Sequence, residues 1–452
     1  MIADPKPYPA MKDSGVPWLG EVPEHWEAQK LRNLLDRVTE RSRPDLPLLS
    51  VVREKGVISR DITGGDDNHN FIPDDLTNYK VVRPGQFAMN KMKAWQGSYG
   101  VSPHAGIVSP AYFVFSLHGV EATFFHVAIR SRTYVPFFAQ ASDGVRIGQW
   151  DLSQGRMKEI LFIVPSVAEQ AAIVRFLDHV DRRIRRYIRA KQKLISLLEE
   201  QKRAIIHRAV TRGLDPNCRL KPSGVEWLGD VPEHWEVKRL KWVTRLQRGY
   251  DLPADQREPG PFPVVSSGGV IDTHSESKCV GPGVVMGRYG STDAVFYVEQ
   301  DFWPHNTSLF VTDFQGNLPR WCFHLLGSVT KADHAGKSAV PGVDRKDLFQ
   351  IVVALPPVGE QLELVRSIGA RSRSLNDAIS TAQREVALLR EYRTRLIADV
   401  VTGKVDVREA AARLPDEVEK PVFPAEDDAL TDDSEGETSE DVDALPEEGA
   451  GA

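Results

Sequence analysis

The sequence predicts an α+β protein in which one mixed domain occurs twice and each copy is followed by a long helix. Three observations support this. A 14-residue segment occurs twice, a Pro-x-x-x-Glu-Gln segment recurs at Pro165 and Pro356, and about 45 proline-free residues with coiled-coil spacing follow each of these prolines. We therefore expect two duplicated domains separated by a long antiparallel two-helix coiled coil with pseudo-two-fold symmetry.

The two helical stretches are residues 167–211 and 358–402, and each follows a proline, which suits a helix N-terminus. Apolar residues recur at alternating steps of three and four, as Leu177, Ile184, Ile188, Ile195, Leu198, Ile205 and Ala209, and as Leu375, Ile379, Ala382, Val386, Leu389, Leu396 and Val400. That spacing is typical of a coiled-coil seam, whose side chains need a facing helix. Both stretches place a basic residue at one matching seam position, Lys202 and Arg393. We therefore expect the helices to pair with each other over roughly 65 Å, at 1.5 Å per residue.

The recurring 14-residue segment covers residues 14–27 and 223–236, and its two copies differ at only two positions. We call it the repeated turn, because its prolines, glycines and tryptophans are typical of a rigid turn rather than a regular element. His25 and His234 follow a glutamate in each copy, which raises the possibility of catalysis. No nucleophile or metal set accompanies them, so a histidine packed within the turn is the favoured interpretation.

These repeats divide the chain into a first domain over residues 1–164, a first spacer helix over 165–215, a second domain over 216–355, a second spacer helix over 356–410 and an acidic tail over 411–452. Between the two domains, sequence identity nearly vanishes outside the repeated motifs. One frame that carries two diverged domains predicts two different binding surfaces.

Charge is unevenly distributed along the 452 residues. The whole chain has a formal charge of −6, but from Leu414 onward fifteen Asp and Glu stand against one Lys, so the rest carries −6 + 14 = +8. A basic body favours nucleic acid as a partner, and the acidic tail is predicted to be disordered. The first helix is rich in arginine, at Arg182, Arg183, Arg185, Arg186 and Arg189. A solvated helix face and a phosphate-facing surface are both compatible with that run.

Other features narrow the function classes. The apolar runs are too short for a membrane span and the N-terminus lacks a signal-peptide pattern, so we expect a cytoplasmic protein without a membrane partner. Cys218, Cys279 and Cys322 lie far apart, which argues against a zinc site. Residues 335–338 resemble the end of a phosphate-binding loop, but Lys331 stands where its first glycine is required. No dinucleotide fingerprint, Asn-Pro-Pro-aromatic tetrapeptide or nuclease carboxylate cluster is present, so we expect no catalytic residue, metal or cofactor in this chain.

Candidate DNA-binding residues cluster around one local feature that survives in both domains, a Gly-x-Tyr-Gly turn after a predicted strand. In the first domain the connection carries Lys91, Lys93, Trp95, Gln96, Ser98 and Tyr99. In the second it carries Arg288, Tyr289 and Ser291, and His305 and Asn306 precede the next strand. Lysine suits phosphate, tryptophan stacks, arginine suits guanine, and the amides of Gln and Asn suit adenine. Packing of Tyr99 and Tyr289 into the core is an equally good alternative to DNA contact.

The repeated turn, the two Pro-x-x-x-Glu-Gln segments and the paired long helices together resemble the specificity subunit of type I restriction–modification enzymes. The segment from Met286 to Ser291 is similar to target recognition domains of that family, as are residues 90–99 running on to 108–110. The resemblance extends to about Arg408. It implies two target recognition domains that each read half of a split site in double-stranded DNA, with the paired helices as spacer.

The resemblance also implies partners. Two methyltransferase subunits would dock on the chain, and restriction or translocase subunits would join through them. S-adenosylmethionine, ATP and Mg²⁺ would be bound by those partners. The acidic tail departs from the family pattern. A stand-alone DNA-binding regulator on the same duplicated frame is the alternative, and an enzyme with an unrecognised site is a second one.

Overall fold

The computed structural model describes residues 6–16, 19–60, 75–144, 150–288, 294–329 and 344–415. The chain divides into two compact units, Met1–Ile188 with Ala387–Ala452, and Arg189–Val386. Each unit therefore contains one mixed domain and parts of both long helices.

In the described part of residues 1–188, the first unit contains fourteen strands, three short α-helices and the start of a long helix. The strands are β1 (Met11–Asp13), β2 (Glu21–Pro23), β3 (Glu27–Lys30), β4 (Leu35–Val38), β5 (Leu49–Val52), β6 (Gly56–Ser59), β7 (Lys80–Val82), β8 (Phe87–Asn90), β9 (Tyr99–Val101), β10 (Gly106–Val108), β11 (Tyr112–Leu117), β12 (Ser142–Asp143), β13 (Asp151–Leu152) and β14 (Leu161–Val164). The helices are α1 (Ala122–Ile129), α2 (Val135–Gln140), α3 (Gln154–Glu159) and the long α4 (Val167–Arg212).

The second unit repeats this order with fewer strands. The strands are β15 (Leu220–Pro222), β16 (Asp230–Pro232), β17 (Glu236–Arg239), β18 (Arg245–Arg248), β19 (Phe262–Ser266), β20 (Gly269–His274), β21 (Gly283–Gly287), β22 (Val295–Val298), β23 (Trp303–Pro304), β24 (Ser308–Asp313) and β25 (Val352–Leu355). The helices are α5 (Pro319–Val329), α6 (Arg345–Gln350) and the long α7 (Val358–Val401), and α8 (Arg408–Ala412) follows in the first unit. Helix α8 crosses the boundary at residue 410 drawn from the sequence, and the domain boundaries stay predictions.

The duplication is visible in the sheets. Each unit has a four-stranded antiparallel sheet, ordered β4-β11-β8-β9 in the first and β18-β24-β21-β22 in the second. Each also pairs the strand after the repeated turn with the strand before the long helix, as β3 with β14 and β17 with β25. These pairs tie the start of each domain to its end, and the predicted α+β duplication is confirmed.

Aromatic side chains fill the core of the first unit. Fully buried members of this core are Phe87, Tyr99, Phe115, Phe124, Phe125, Phe138 and Phe162. The core of the second unit is instead mostly aliphatic around Trp235 and Trp321, both fully buried. The two domains therefore preserve strand order while filling their interiors differently, which explains why their identity is so low.

The long helices pair antiparallel, as the heptad spacing predicts. In the second unit Lys191 Nζ lies 2.5 Å from Glu385 and Lys202 Nζ donates to Asn376 at 2.8 Å, so the partner number falls as the helix advances. In the first unit Arg393 forms an ion pair with Asp181. Both basic seam residues thus meet a polar group on the facing helix. A buried or half-buried polar pair specifies register, because a shifted alignment would leave both groups unpaired.

The glutamate at the start of each long helix binds the repeated turn of its own unit. Glu169 is 5% exposed, and His25 Nε2 lies 2.9 Å from both of its carboxylate oxygens. Trp26 Nε1 donates to it at 3.4 Å and Ser166 Oγ at 3.0 Å. Burial raises the pKa of Glu169, but these donors outweigh burial and hold it below its usual value of 4.5. His25 therefore anchors the turn to the helix, which agrees with the packing interpretation.

The second unit repeats this arrangement. His234 Nε2 and Trp235 Nε1 both lie 2.9 Å from Glu360 Oε2. Among the described residues, no group of three or more His, Cys, Asp or Glu side chains has the arrangement of a metal site. The two histidines therefore have the same local role in the two copies.

The glutamine that follows each glutamate ties the long helix to a short one. Gln170 Nε2 donates to the carbonyl of Pro165 at 2.8 Å, and its Oε1 accepts from the Glu121 amide at 2.7 Å, at the N-terminus of α1. Gln361 donates to the Pro356 carbonyl at 3.1 Å and accepts from the Leu318 amide at 3.0 Å, just before α5. Both glutamines are buried, so the Glu-Gln pair joins three elements at one point.

We call the place where the repeated turn, the Glu-Gln pair and the short helix meet the joint of each unit. The C-terminal end of the other long helix also lies at this joint. Gly403, after α7, has a φ of 75° and lies against Pro23 and Trp26, so that a Cβ would clash there. Gly213, after α4, has a φ of 71° and lies against Trp235. A left-handed glycine at C′ ends each helix where its chain must turn onto the tryptophan.

The two chain ends meet at the joint of the first unit. The Asp406 amide donates to the Lys6 carbonyl at 2.8 Å. Arg408 is the first residue of α8, and its guanidinium carbon lies 5.0 Å from the centroid of the Tyr8 ring. A guanidinium nitrogen of Arg408 lies 2.7 Å from a carboxylate oxygen of Asp406. The described parts of both termini therefore pack together in the first unit.

We expect Glu169→Gln to lower the free energy of unfolding by about 1–3 kcal/mol, because it removes a buried, charge-assisted acceptor. Since the folded pKa of Glu169 lies below 4.5, this contribution is complete above about pH 4.5 and is lost as the pH falls through the folded value. Thermal unfolding at pH 7 and at pH 3 measures the difference.

Glu200→Gln, on the exposed face of α4, is the matched control and should leave stability unchanged. Glu360→Gln should destabilise at pH 7 in the same direction as Glu169→Gln. Equal melting temperatures for Glu169→Gln and the wild-type protein at pH 7 would contradict the role of this carboxylate.

Candidate nucleic-acid interface

The candidate residues of both units lie at one end of the four-stranded sheet. Asn90, the last residue of β8, is paired with Tyr112, the first residue of β11. In the second unit Gly287, the last residue of β21, is paired with Ser308, the first of β24. The segment that leaves the central strand and the segment that enters its neighbour are therefore adjacent in both units. In the second unit, Arg288 is the last described residue of the segment that leaves the central strand.

In the first unit this surface contains a tryptophan pair. Trp95 lies in a 3₁₀ turn, Ala94–Gln96, and its ring centroid is 5.1 Å from that of Trp150. The indole N–H of Trp95 is buried and has no hydrogen-bond partner among the described residues. A buried donor without a partner is costly, and bound ligand or water is the usual explanation.

Two lysines flank the tryptophan pair. Lys91 Nζ lies 2.7 Å from Asp151, with its side chain 31% exposed, so Asp151 orients it across the loop. Lys93 is exposed, and Gln96 is half-buried. A cation, an aromatic ring and an amide thus occur within six residues of one loop, and their contact with DNA stays a prediction.

Ser98 and Tyr99 lie below this surface. Ser98 is 3% exposed and Tyr99 is fully buried in β9. The Tyr99 hydroxyl donates to the Ile129 carbonyl at 3.3 Å, and its ring centroid is 4.3 Å from that of Phe138. Of the two interpretations of Tyr99, the structure supports core packing, because the ring has no path to the surface.

Arg130, which is half-buried, and His126, which is buried, hold β9 in place. Arg130 donates to the carbonyls of Tyr99, Arg53 and Glu54, the last two at 2.8 and 2.9 Å. His126 Nδ1 accepts from the Val101 amide at 3.1 Å, and burial lowers the pKa of His126 to about 3. His126 is thus neutral near pH 7. These groups are structural, and sequence patterns carried no signal for them.

In the second unit the structure brings Arg288 to the segment that precedes β24. The Arg288 amide donates to the Thr307 carbonyl at 3.1 Å, and His305 Nδ1 lies 3.1 Å from Thr307 Oγ1. Burial, and then the nearby Arg257, lower the pKa of His305, so this ring is neutral near pH 7 and can both donate and accept. Tyr289 and Ser291 lie outside the described residues.

Asn306 belongs to a polar chain that sequence reasoning missed. Its amide donates to Asp251, which also lies 3.1 Å from the Arg248 guanidinium. Tyr250 between them is 37% exposed, with its ring edge-on to Trp303 at 6.3 Å. In the sequence, the triplet Arg248-Gly249-Tyr250 could have indicated this segment. Its glycine allows a close approach of two backbones, because a Cβ at Gly249 would clash with the His305 carbonyl. Arg248, Tyr250 and Asp251 therefore join the candidate surface.

The rest of the described chain offers no competing chemistry. Cys218, Cys279 and Cys322 are unpaired, and burial raises the pKa of Cys279 to about 11 and that of Cys322 to about 12, so neither thiol is activated. No helix in the described ranges combines the length and apolar character needed to cross a membrane. Residues 335–338 and the tail after residue 415 lie outside these ranges.

Comparisons with known proteins point in one direction. No protein-family model matches the chain. A Methanocaldococcus jannaschii protein assigned as the type I restriction enzyme MjaX specificity subunit is 19% identical over 431 residues, which is 86% of this chain and 96% of the relative. The type I restriction enzyme MjaVIII specificity subunit of the same organism is 21% identical over 282 residues, 54% of this chain and 62% of that one.

Among solved structures, a chain from work on complex assembly and conformational transition of the type I R-M system superimposes with a TM-score of 0.61. It covers 85% of this chain and 99% of its own length at 15% identity, which establishes the shared fold alone. The predicted two-domain, two-helix architecture is therefore found in a solved protein.

Because Tyr99 is a core residue, we expect Tyr99→Phe to lower the free energy of unfolding by about 1 kcal/mol, through loss of one hydrogen bond, and to leave DNA affinity unchanged. Lys93→Ala in the same connection should do the opposite, leaving stability unchanged and weakening DNA binding. Thermal unfolding and fluorescence anisotropy with duplex DNA measure both. If Tyr99→Phe lost DNA affinity but kept the stability of the wild-type protein, Tyr99 would instead be a DNA contact.

Proposed function

We propose that the chain is a specificity subunit of a type I restriction enzyme, and that each of its units reads one half of a bipartite, asymmetric site in double-stranded DNA. A specificity subunit is non-catalytic, and methylation and cleavage are carried out by other subunits. Turnover by the purified chain would instead favour the alternative of an enzyme with an unrecognised site.

One observation carries the proposal. The two units keep the same strand order and the same joint, but they present different side chains at the equivalent end of the four-stranded sheet. The first presents Lys91, Lys93, Trp95 and Gln96, and the second presents Arg288, His305 and Asn306. Equivalent surfaces with different chemistry suit two different half-sites.

The chemistry of each surface agrees with DNA. In the first unit lysines supply phosphate contacts and Gln96 supplies an amide that can pair with adenine. In the second unit a guanidinium and an amide suit guanine and adenine, and neutral His305 can donate or accept at a base edge. We assign Lys91 and Lys93 to the phosphates and Gln96, Arg288 and Asn306 to the bases.

The helices supply a surface for the methyltransferase subunits. In the first unit Tyr187, Leu388 and Tyr392 are 55%, 64% and 54% exposed on α4 and α7. In the second unit Leu194 and Leu197 are 42% and 52% exposed on α4. Exposed aromatic and leucine side chains on a helix face are typical of an interface core. One such surface per unit supports docking of two methyltransferase subunits.

The remaining assignments depend on those partners. Restriction or translocase subunits join through the methyltransferases, and S-adenosylmethionine, ATP and Mg²⁺ are bound by the partner subunits in the cytoplasm. Co-purification with a methyltransferase subunit, followed by methylation sequencing of the DNA, tests the proposal. A chain that binds DNA but no methyltransferase would favour the stand-alone regulator.

We expect Arg288→Ala to relax or abolish recognition in one half-site only, at a cost of about 1–3 kcal/mol if the guanidinium contacts a base. Methylation sequencing of DNA modified by the reconstituted complex reports each half-site separately. Arg239→Ala, at an exposed position of β17 away from the candidate loops, is the control and should leave both half-sites intact. Uniform weakening on all sequences would instead make Arg288 a phosphate contact.

We expect the paired helices to set the gap between the half-sites. Removing one heptad from each helix, residues 188–194 and 379–385, deletes the Lys191–Glu385 pair as a unit and keeps both the Asp181–Arg393 and Lys202–Asn376 contacts. The helices shorten by about 10 Å, so the gap should shrink by up to about three base pairs while the bases read stay the same.

Deleting residues 188–194 alone is the matched control. It shifts one side of the seam against the other and should destabilise the protein without defining a new gap. An unchanged gap with full activity in the doubly shortened protein would rule out the helices as the ruler. Altered half-site bases would make the helices part of the readout.

A further inference from the structure

Helix α4 carries a line of basic side chains opposite its seam in the first unit. Arg175, His179, Arg182 and Arg186 are spaced by four, three and four residues, so they lie along one face. The seam residues Leu177, Ile184 and Ile188 are at most 6% exposed, whereas Arg175 and Arg186 are exposed. Arg183, which is exposed and lies four residues after His179 and three before Arg186, borders this line. We call the line together with Arg183 the arginine stripe.

The stripe has a net positive charge. Residues 175–189 hold six Arg and two Asp, a formal +6 − 2 = +4. Asp178 lies 3.0 Å from Arg182, and Asp181 lies 2.7 Å from Arg185 and also pairs with Arg393. Both aspartates are therefore already paired with cations of the helix pair, and the formal charge of this segment is positive.

The chain leaves the described structure at the head of this stripe. After α8, the Arg175 guanidinium donates to the carbonyl of Leu414 at 2.8 Å and to that of Pro415 at 3.1 Å. The segment before it is held by Arg408, which pairs with Asp406 at 2.7 Å and with Glu169 at 3.7 Å. Two arginines thus fix where the tail begins.

The segment after residue 415 is strongly acidic. The 37 residues from 416 to 452 contain fifteen Asp and Glu and one Lys, a formal charge of −14. From Arg175 to Arg186 the stripe is about 16 Å long at 1.5 Å per residue, while 37 residues extend to about 120 Å. Tethering at the head of the stripe gives the tail an effective concentration in the millimolar range.

We propose that the acidic tail binds in cis along the arginine stripe of α4 and there competes with DNA phosphates. Charge complementarity and the anchored exit beside Arg175 support the docking. Competition rests on the proposed function, because it requires the chain to approach DNA. The tail would then suppress sequence-independent binding, which depends on phosphate contacts, more than binding at a specific site.

Docking is tested without DNA. The host is the full-length chain in which the fifteen tail carboxylates are neutralised as Asp→Asn and Glu→Gln, and the probe is a fluorescent peptide with the sequence of residues 416–452. In low salt we expect saturable binding that Arg183→Gln with Arg186→Gln weakens at least tenfold. Arg203→Gln, an exposed arginine further along the same helix, is the matched control and should leave peptide affinity unchanged.

Competition is tested with duplex DNA of random sequence. Neutralising the tail in the full chain should raise non-specific affinity about tenfold and steepen its salt dependence, since more phosphates are contacted. The same neutralisation should have no effect once Arg183→Gln and Arg186→Gln are present. Circular dichroism and thermal unfolding establish that each variant is folded.

The outcomes separate the two proposals. Absence of peptide binding, or equal binding to the Arg183→Gln/Arg186→Gln protein, overturns tail docking and leaves the DNA-reading function untouched. Peptide binding without any change in DNA affinity on neutralising the tail overturns the competition. Peptide binding by a chain that binds no DNA in any form refutes the proposed function instead.

Discussion

The buried Glu-Gln pair at the start of each long helix is the constraint on which the rest of the structure depends. Glu169 is nearly inaccessible to water, and its charge is tolerated because His25, Trp26 and Ser166 hydrogen-bond to it and Arg408 lies 3.7 Å away. The neighbouring Gln170 fixes a short helix to the same point. Within the first unit, the start of α4 is therefore held by these hydrogen bonds.

The polar pairs at the seam between the helices specify how the two helices align. A two-helix pair buries one side only, so much of the apolar stripe stays half-exposed and hydrophobic burial alone specifies alignment poorly. Asp181–Arg393 and Lys191–Glu385 supply the missing specificity, because sliding by one heptad would separate both pairs. These pairs therefore specify the register of the seam.

Much of this architecture could be predicted because it depends on periodicity and repetition. The ends of α4 and α7 fall within one residue of the predicted stretches, and the repeated turn forms the same contacts twice. Side-chain depth was harder to predict. Trp95 and Tyr99 lie only four residues apart, yet only the packing of Tyr99 against Phe138 shows that the tyrosine belongs to the core. Asp251 and Asn306 meet through a contact between residues 55 positions apart, which no local pattern encodes.

The two joints differ in one respect. In the second unit the chain continues without a break from Gly213, which lies against the Trp235 ring, to β15. In the first unit the equivalent place is occupied by Gly403 from the C-terminal part of the chain and by Lys6 and Tyr8 from the N-terminal part. In the first unit, the hydrogen bond from the Asp406 amide to the Lys6 carbonyl therefore stands where the second unit has a covalent connection. Joining residue 406 to residue 6 through a short linker and opening the chain between Gly213 and Leu220 would give a circular permutant with the same joints.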